Sequence, residues 1–380
     1  MRHGDNMLER NTKFSRTPII EASVATLLAA TSPQMAWAED KNGAFSPFVE
    51  GELELELGND LTFRSDDPAN ELNDLYFSGA LAVVFGLTPW LSVNGGLTFE
   101  PVLDPLPATD RYFGDLGLYV DTLNVQVDIG NLSVVAGKFG PGFGTAWDVT
   151  PGVFGTGFAE DYELAEMIGF GATYTAEGLP IGTVAVGGNV FFVDTTALSD
   201  SIFTSRGRVM ESDGGIGNTE RLDNVSLAID GSDVPGAEGL FWHLGYSHLS
   251  AGLGDVADQN GFAGGIGTER ELSNGMVLTA NGEIAYFDGF GGTPDDAIYL
   301  TGGLSLANGP WHGELASTIR RINVAGGPNV NDLLVQLSGG HEFDNGIDVS
   351  LGYAFWRDAG IDNHTFGLRL TKTLEFSTRN

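Results

Sequence analysis

The chain contains no cysteine among its 380 residues. This excludes disulfide bonds, thiolate metal sites and cysteine nucleophiles, and it suits a protein that crosses an oxidising compartment before it folds. Basic residues are also scarce, because 18 lysines and arginines stand against 51 aspartates and glutamates, a formal net charge of −33. Nucleic acid and anionic membrane surfaces would therefore repel this chain, whereas cations would accumulate around it.

The sequence also lacks an apolar run long enough to form a membrane-spanning helix. Its nearest approach, Ala22 to Ala30, follows four basic residues and precedes the small-residue pattern Ala36-Trp37-Ala38. This order predicts a signal peptide over residues 1–38 and a mature domain over residues 39–380, which is 380 − 38 = 342 residues long. The alternative is an amphipathic N-terminal helix of a cytosolic protein.

What the sequence has in abundance is alternation. From Val49 to Leu57, four glutamates alternate with aliphatic residues and one glycine: Glu50, Glu52, Glu54 and Glu56. A β-strand sends successive side chains to opposite faces, so this segment predicts a strand with water on one side and an apolar medium on the other. Similar segments return about every twenty residues as far as the C-terminus.

Connections between these segments are sorted by length. We count sixteen candidate strands, and tight turns such as Gly130-Asn131 follow the even-numbered ones. Longer polar segments, such as residues 58–70 and 140–164, follow most odd-numbered ones. We therefore predict an all-β fold, a single 16-stranded antiparallel transmembrane β-barrel with short periplasmic turns and long extracellular loops. The competing interpretation is a secreted Gly/Asp-rich β protein.

Four tryptophans lie at the ends of predicted strands. Trp90, Trp242 and Trp311 begin strands and Trp356 ends one. Aromatic belts at the two membrane interfaces occupy these levels in a barrel, so we expect all four to anchor the outer surface.

Two segments resemble the sixteen-stranded Gram-negative outer-membrane porins. Gly137-Lys138-Phe139, followed by Pro141 and Phe143-Gly144, is similar to the phosphate- and carbohydrate-porin relatives at the end of strand five. The last strand alternates apolar residues up to Phe376, like the family's C-terminal assembly signal, although four further residues follow here. The chain lacks the ladder of lysines and arginines that phosphate selectivity requires, so that specialisation is rejected.

The resemblance implies where the protein resides and what surrounds it. We expect a bacterial outer membrane, with a lipid bilayer and lipopolysaccharide around the barrel and insertion by the barrel-assembly machinery. A homotrimer is expected from the resemblance alone. The loop after strand five is expected to be long, as in the family, where it folds inward and narrows the pore.

The candidate pore-lining residues follow from the alternation. The four glutamates of the first strand are expected in the lumen, beside Arg369 of the last strand, with Arg320 and Arg357 as further basic partners. This predicts a cation-attracting wall, and the alternative is a solvated face without a selective role. The candidate constriction loop contains Trp147, Asp148, Glu160, Asp161 and Glu163. Folded inward it would repel anions, and folded outward it would be an acidic surface loop.

Function is predicted from these features together. We expect a porin for passive diffusion of small hydrophilic solutes, cation-preferring and without cofactor or metal. No Gly-x-Ser-x-Gly, His-Glu-x-x-His or phosphate-loop motif occurs, so an enzyme is not expected. The alternatives are a facilitator for sugars or siderophores that uses Trp147, Phe143 and Phe154 as an aromatic lining, a structural or adhesive barrel, and a barrel hydrolase with a scattered Ser-His-Asp set.

Overall fold

The computed structural model describes residues 45–379, so the predicted signal peptide lies outside the described residues. Within them the chain forms eighteen strands. These are β1 (Phe48–Ser65), β2 (Leu72–Thr88), β3 (Leu91–Pro101), β4 (Arg111–Tyr112), β5 (Leu116–Ile129), β6 (Leu132–Phe139), β7 (Met167–Leu179), β8 (Gly182–Val193), β9 (Ile202–Phe203), β10 (Asn224–Ser232), β11 (Leu240–Leu249), β12 (Gln259–Glu271), β13 (Val277–Asp288), β14 (Asp296–Asn308), β15 (Trp311–Asn323), β16 (Val330–Glu342), β17 (Ile347–Asp358) and β18 (Ile361–Ser377).

Sixteen of these strands close into one antiparallel barrel. Each pairs with its neighbours along the chain, and β1 pairs with both β2 and β18, which closes the sheet on itself. The two-residue strands β4 and β9 are extra pairings, β4 parallel to β2 and β9 antiparallel to β5. The predicted all-β, 16-stranded antiparallel barrel is therefore confirmed. In residues 45–379 no helix is long and apolar enough to cross a membrane.

Alternation along each strand separates an apolar exterior from a polar interior. On β14, Leu300 is 55% exposed on the outer face, whereas its inward neighbours Tyr299 and Thr301 are buried. Exposed leucines, isoleucines, valines and phenylalanines continue in this way around the strands. A soluble monomer rarely presents so wide an apolar surface, whereas hydrocarbon surrounds it without cost.

Long and short connections lie at opposite ends of the barrel, as predicted, with two differences. The largest connections, residues 140–166 and 194–223, lie at one end, and tight turns such as residues 130–131 lie at the other. The first extracellular loop is shorter than expected, because β1 continues to Ser65, paired with β2 as far as Thr62 and with β18 as far as Ser65. The last extracellular connection is only Ala359-Gly360, a tight turn in which both residues have positive φ.

The interface anchors are partly as expected. Trp90 and Trp311 are exposed where strands begin at the periplasmic rim, and Trp242 lies on the outer face against Gly231. The expectation for Trp356 is wrong, because it faces the lumen and packs edge-to-face on Phe158 at 5.5 Å. Its neighbour Ala354 is buried on the same inward face, so the register of β17 decides its direction.

One lysine lies on the apolar outer face of the barrel, but its ammonium group reaches the periplasmic rim and so stays out of the hydrocarbon. Lys372 on β18 points outward, and its ammonium group donates to the carbonyl of Asn345 in a periplasmic turn. The aliphatic stem covers apolar surface while the charge leaves the hydrocarbon level, as long basic side chains do near membrane interfaces.

Leu304→Arg and Ser305→Arg form a matched pair on opposite faces of β14. We expect Leu304→Arg to lower the free energy of unfolding by about 2 kcal/mol, because the charge enters hydrocarbon. Ser305→Arg places the same charge in the lumen and should have little effect. Urea unfolding in lipid vesicles measures both variants, and equal destabilisation by the two would contradict the assigned faces.

Candidate functional site

Residues 140–166, here called the constriction loop, fold into the barrel between β6 and β7. Aromatic side chains of the loop pack on inward-facing aromatic residues of the far wall. Phe143 lies 5.7 Å from Phe287, and Tyr162 lies 5.2 Å from Tyr299, between ring centroids. Burial of these rings against one another stabilises the loop inside the lumen. The inward alternative is therefore the observed one.

Two glycines of the wall leave the space that the middle of the loop occupies. A Cβ atom at Gly352 of β17 would lie 2.7 Å from Cβ of Val153, and one at Gly367 of β18 would lie 2.6 Å from the ring of Phe154. Any larger residue at either position would displace the loop. Glycine is common throughout this sequence, so nothing in the sequence marked these two positions.

A single carboxylate holds both ends of the loop. Glu283 on β13 accepts hydrogen bonds from the backbone N–H of Thr145 at 2.7 Å and its hydroxyl at 2.9 Å. It also accepts from the N–H of Ala146 at 3.2 Å and from the Tyr162 hydroxyl at 2.7 Å. Hydrogen bonds to a charged acceptor are the stronger kind. Glu283 was not predicted from the sequence, where its only signal is that it is a lone acid at an inward position of β13.

Three further contacts attach the loop to the wall. Nε2 of His243 lies 3.0 Å from the carbonyl oxygen of Phe143, and its Nδ1 lies 2.6 Å from Asp230. The amide of Asn281 donates to the Thr150 hydroxyl at 2.9 Å, and that of Gln336 donates to the Pro151 carbonyl at 3.1 Å. Because these groups lie on β11, β13 and β16, the loop is fixed along a wide arc of the wall.

The predicted loop residues have different surroundings. Asp161 accepts hydrogen bonds from the Tyr299 hydroxyl at 2.9 Å and from Arg320 at 2.7 Å. The Trp147 indole donates to the carbonyl of Gly144 at 2.8 Å and packs against the loop's apolar cluster. Glu160 accepts from the Thr156 hydroxyl, and Asp148, Glu160 and Glu163 are half-buried. Phe143 and Phe154 are buried against the wall, so they do not form an aromatic lining for a solute.

Arg320 carries an excess of carboxylates. Its Nη1 binds Asp161 of the loop, its Nε donates to Asp332 at 2.8 Å and its Nη2 binds Asp358. The guanidinium also lies 4.3 Å from the ring centroid of Phe158. One positive charge thus serves three carboxylates, so acidic side chains outnumber basic ones in this group.

The wall beside the barrel closure repeats this imbalance. Arg369 binds Asp60 through two nitrogens, at 2.7 and 3.2 Å, and lies 3.3 Å from Glu56. Glu54 also faces inward, and Glu50 binds Arg379 at 2.9 Å. Glu52 lies directly opposite Glu375 of β18. Like charges at directly opposed positions destabilise a sheet, so this rim favours a bound or diffuse cation.

Two basic residues, Arg111 and Lys138, were not predicted to lie among the acids of the lumen, and the prediction for Arg357 was wrong. Arg111 binds Asp74 through two nitrogens at 2.8 and 2.7 Å, and Lys138 is buried among carboxylates. Arg357 was expected to face the acids across the bore, but it points outward and binds Asp362. Its neighbour Trp356 faces the lumen, so alternation places Arg357 outside. In residues 45–379 no group of three or more His, Cys, Asp or Glu residues could hold a metal ion.

Comparison with known proteins identifies the fold, although no protein family and no curated protein matches the sequence. The outer-membrane channel DcaP of Acinetobacter baumannii is 12% identical with a TM-score of 0.55, over 90% of this chain and 100% of that one. OmpF of Salmonella typhi, solved with daunomycin, is 11% identical with a TM-score of 0.57, over 86% and 97%. OpdK of Pseudomonas aeruginosa, solved with vanillate, is 12% identical with a TM-score of 0.51, over 86% and 99%.

The chain therefore has the fold of the outer-membrane porins, as the resemblance indicated. The likeness covers nearly the whole length of each of these proteins. At these identities it establishes the shared architecture, and the chemistry of the lumen has to be argued from this chain's own residues.

An engineered disulfide checks the position of the constriction loop. Because the chain has no cysteine, Val153→Cys with Gly352→Cys introduces one possible pair, and we expect it to cross-link on mild oxidation after a small shift of the loop. Val153→Cys with Gly95→Cys is the control, since Gly95 has no side-chain or backbone neighbour within 4 Å of its Cβ position. Mobility on a non-reducing gel reports the link, and its absence in the first pair would place the loop elsewhere.

A graded series of substitutions checks the role of Glu283. We expect single-channel conductance to rise in the order Tyr162→Phe, Glu283→Gln, Glu283→Ala, because these variants remove one bond, weaken all four, and remove all four. Planar-bilayer recording measures the series. Equal conductance in all three variants would mean that aromatic packing alone holds the loop.

Proposed function

We propose that this protein is a porin of the bacterial outer membrane, which lets small hydrophilic solutes diffuse passively through its lumen. The observation that carries the proposal is the constriction loop, which is fixed across the interior of a closed barrel by Glu283 and by aromatic packing. Such a loop narrows a bore without filling the cross-section with a separate domain. Polar groups along the inward faces replace part of the hydration that a solute loses on entry.

We further propose that the channel prefers cations. The support is the ratio of charges around two arginines of the lumen: three carboxylates at Arg320 and two at Arg369. Glu52 and Glu375 add further negative charge at the periplasmic rim. A narrow polar passage with low-dielectric walls focuses this field, which concentrates cations and repels anions.

The surroundings complete the proposal. We infer export by a signal peptide over residues 1–38, insertion by the barrel-assembly machinery, contact with lipopolysaccharide in the outer leaflet, and a homotrimeric assembly. The signal peptide is inferred from the basic and apolar pattern of residues 1–38. The other expectations rest on the family resemblance and agree with the apolar exterior and the positions of Trp90 and Trp311.

Reversal potentials in asymmetric KCl test the channel and its selectivity. We expect a potential of cation-selective sign, reduced toward zero by Glu52→Gln with Glu54→Gln, because two lumen charges are lost. The matched control is Asp288→Asn with Asp296→Asn, which neutralises a directly opposed pair on the outer face of β13 and β14. An anion-selective potential, or an equal shift in the control, would contradict the proposed selectivity, and a lack of conductance would contradict the porin itself.

A further inference from the structure

Lys138 is buried to a degree that is unusual for lysine. Only 1% of its side chain is exposed, and its ammonium nitrogen lies 2.7 Å from Glu166, 2.7 Å from Asp194 and 3.0 Å from the carbonyl oxygen of Leu198. An ammonium group has three donors, so every donor has an acceptor. Burying this charge is tolerable only with such complete pairing.

The backbone around Lys138 explains why a glycine precedes it. Gly137 has φ of +135°, and a Cβ atom there would lie 2.5 Å from the carbonyl oxygen of Leu123. Only glycine adopts this conformation readily. Strand β6 ends one residue after Lys138, and the chain then enters the lumen through Gly140-Pro141. The Gly-Lys-Phe motif thus lies where the constriction loop leaves the wall.

The partners of Lys138 belong to two different loops. Glu166 is the last residue of the constriction loop, and Asp194 begins the connection of residues 194–223, here called the surface loop. The N–H of Asp194 also donates to the Glu166 carbonyl at 3.2 Å. Arg206 of the surface loop binds the Glu166 carboxylate, and its guanidinium lies 3.8 Å from the ring centroid of Tyr119. We call Lys138, Glu166, Asp194 and Arg206 the Lys138 cluster.

The surface loop forms part of the barrel wall at this point. Strand β6 pairs with β5 only from Leu123 to Ile129, so the extracellular half of β5 lacks this neighbour. Strand β9 of the surface loop pairs there instead, opposite Gly117 and Leu118. A displacement of the surface loop therefore pulls on Asp194 and Arg206, and through them on the end of the constriction loop.

Asp194 keeps its negative charge over a wide pH range. Burial opposes ionisation of Asp194, but hydrogen bonds from Lys138 and Thr196 outweigh it and hold the pKa of Asp194 below its ordinary value. A lowered folded-state pKa contributes stability above the unfolded value near 3.8, and this stability is lost only as the pH falls through the lower folded value. The connection between the loops is therefore intact at neutral pH.

We propose that Lys138 is a positioning residue that fixes the root of the constriction loop and couples it mechanically to the surface loop. The consequence for transport rests on the proposed porin function, because only in a channel does the position of this loop set the permeability. A displacement of residues 194–223 would thereby change the position of the constriction loop.

Thiol accessibility tests the coupling without any need for conduction. Val153 of the constriction loop is buried against Gly352 of the wall. A water-soluble maleimide should therefore label Val153→Cys slowly in the otherwise unchanged protein. With Lys138→Met added, Glu166 and Asp194 lose the buried ammonium group that joins them, which should release the loop root and raise the labelling rate at least about tenfold. Lys138→Arg, which keeps the charge, should retain most of the protection.

Two further variants separate positioning from general stability. Arg206→Gln loosens the cluster from the surface-loop side only and should also raise the rate, even if Lys138→Met does not fold. Arg111→Met removes a buried ion pair of equal quality with Asp74 but touches no residue of the constriction loop, so it should leave the rate unchanged. Unchanged labelling in Arg206→Gln, or an equal increase in Arg111→Met, would overturn the proposal. Neither outcome depends on the conductance, which tests the porin function separately.

Discussion

Pairing of the first strand with the last is the constraint on which the rest of the molecule depends. An open sheet edge in hydrocarbon would leave a row of backbone N–H and C=O groups without partners, at several kcal/mol each. β1 and β18 remove both edges by pairing from Glu50–Ser377 to Ser65–Asn363. Successive side chains of a strand point to opposite faces of the sheet. Once the sheet is closed, the apolar set therefore faces lipid and the polar set faces the lumen.

A closed polar lumen then needs something that sets its width, and the constriction loop supplies it. Its attachment combines two kinds of energy. Aromatic rings such as Phe143 and Tyr162 bury apolar surface against Phe287 and Tyr299, while Glu283 satisfies polar groups at both ends. Because the glycines on β17 and β18 leave room for Val153 and Phe154, the loop follows the wall closely rather than crossing the bore at random.

Charge is distributed so that each basic residue in the lumen organises several acids. Arg320 joins loop to wall, Arg369 joins the two strands of the closure, and Lys138 joins two loops. Removing one such cation would take the counter-charge from two or three buried or half-buried carboxylates, which costs more than losing one exposed ion pair. Around Arg320 and Arg369 the acids outnumber the basic residues, so these two groups shape the interior and also give it a negative excess.

The sequence by itself determined the architecture, because alternation and turn residues are local signals. Strands such as Leu132–Phe139 and Leu240–Leu249 have the bounds that alternation predicted, and the inward set of the last strand, with Arg369, followed from the same period. Only the tertiary structure decided that residues 140–166 fold inward, that Trp356 packs on the loop, and that Glu283 and Lys138 hold the loop. Those outcomes depend on contacts between residues more than one hundred positions apart or between separate loops, and no local pattern in the chain encodes which distant partner a side chain will meet.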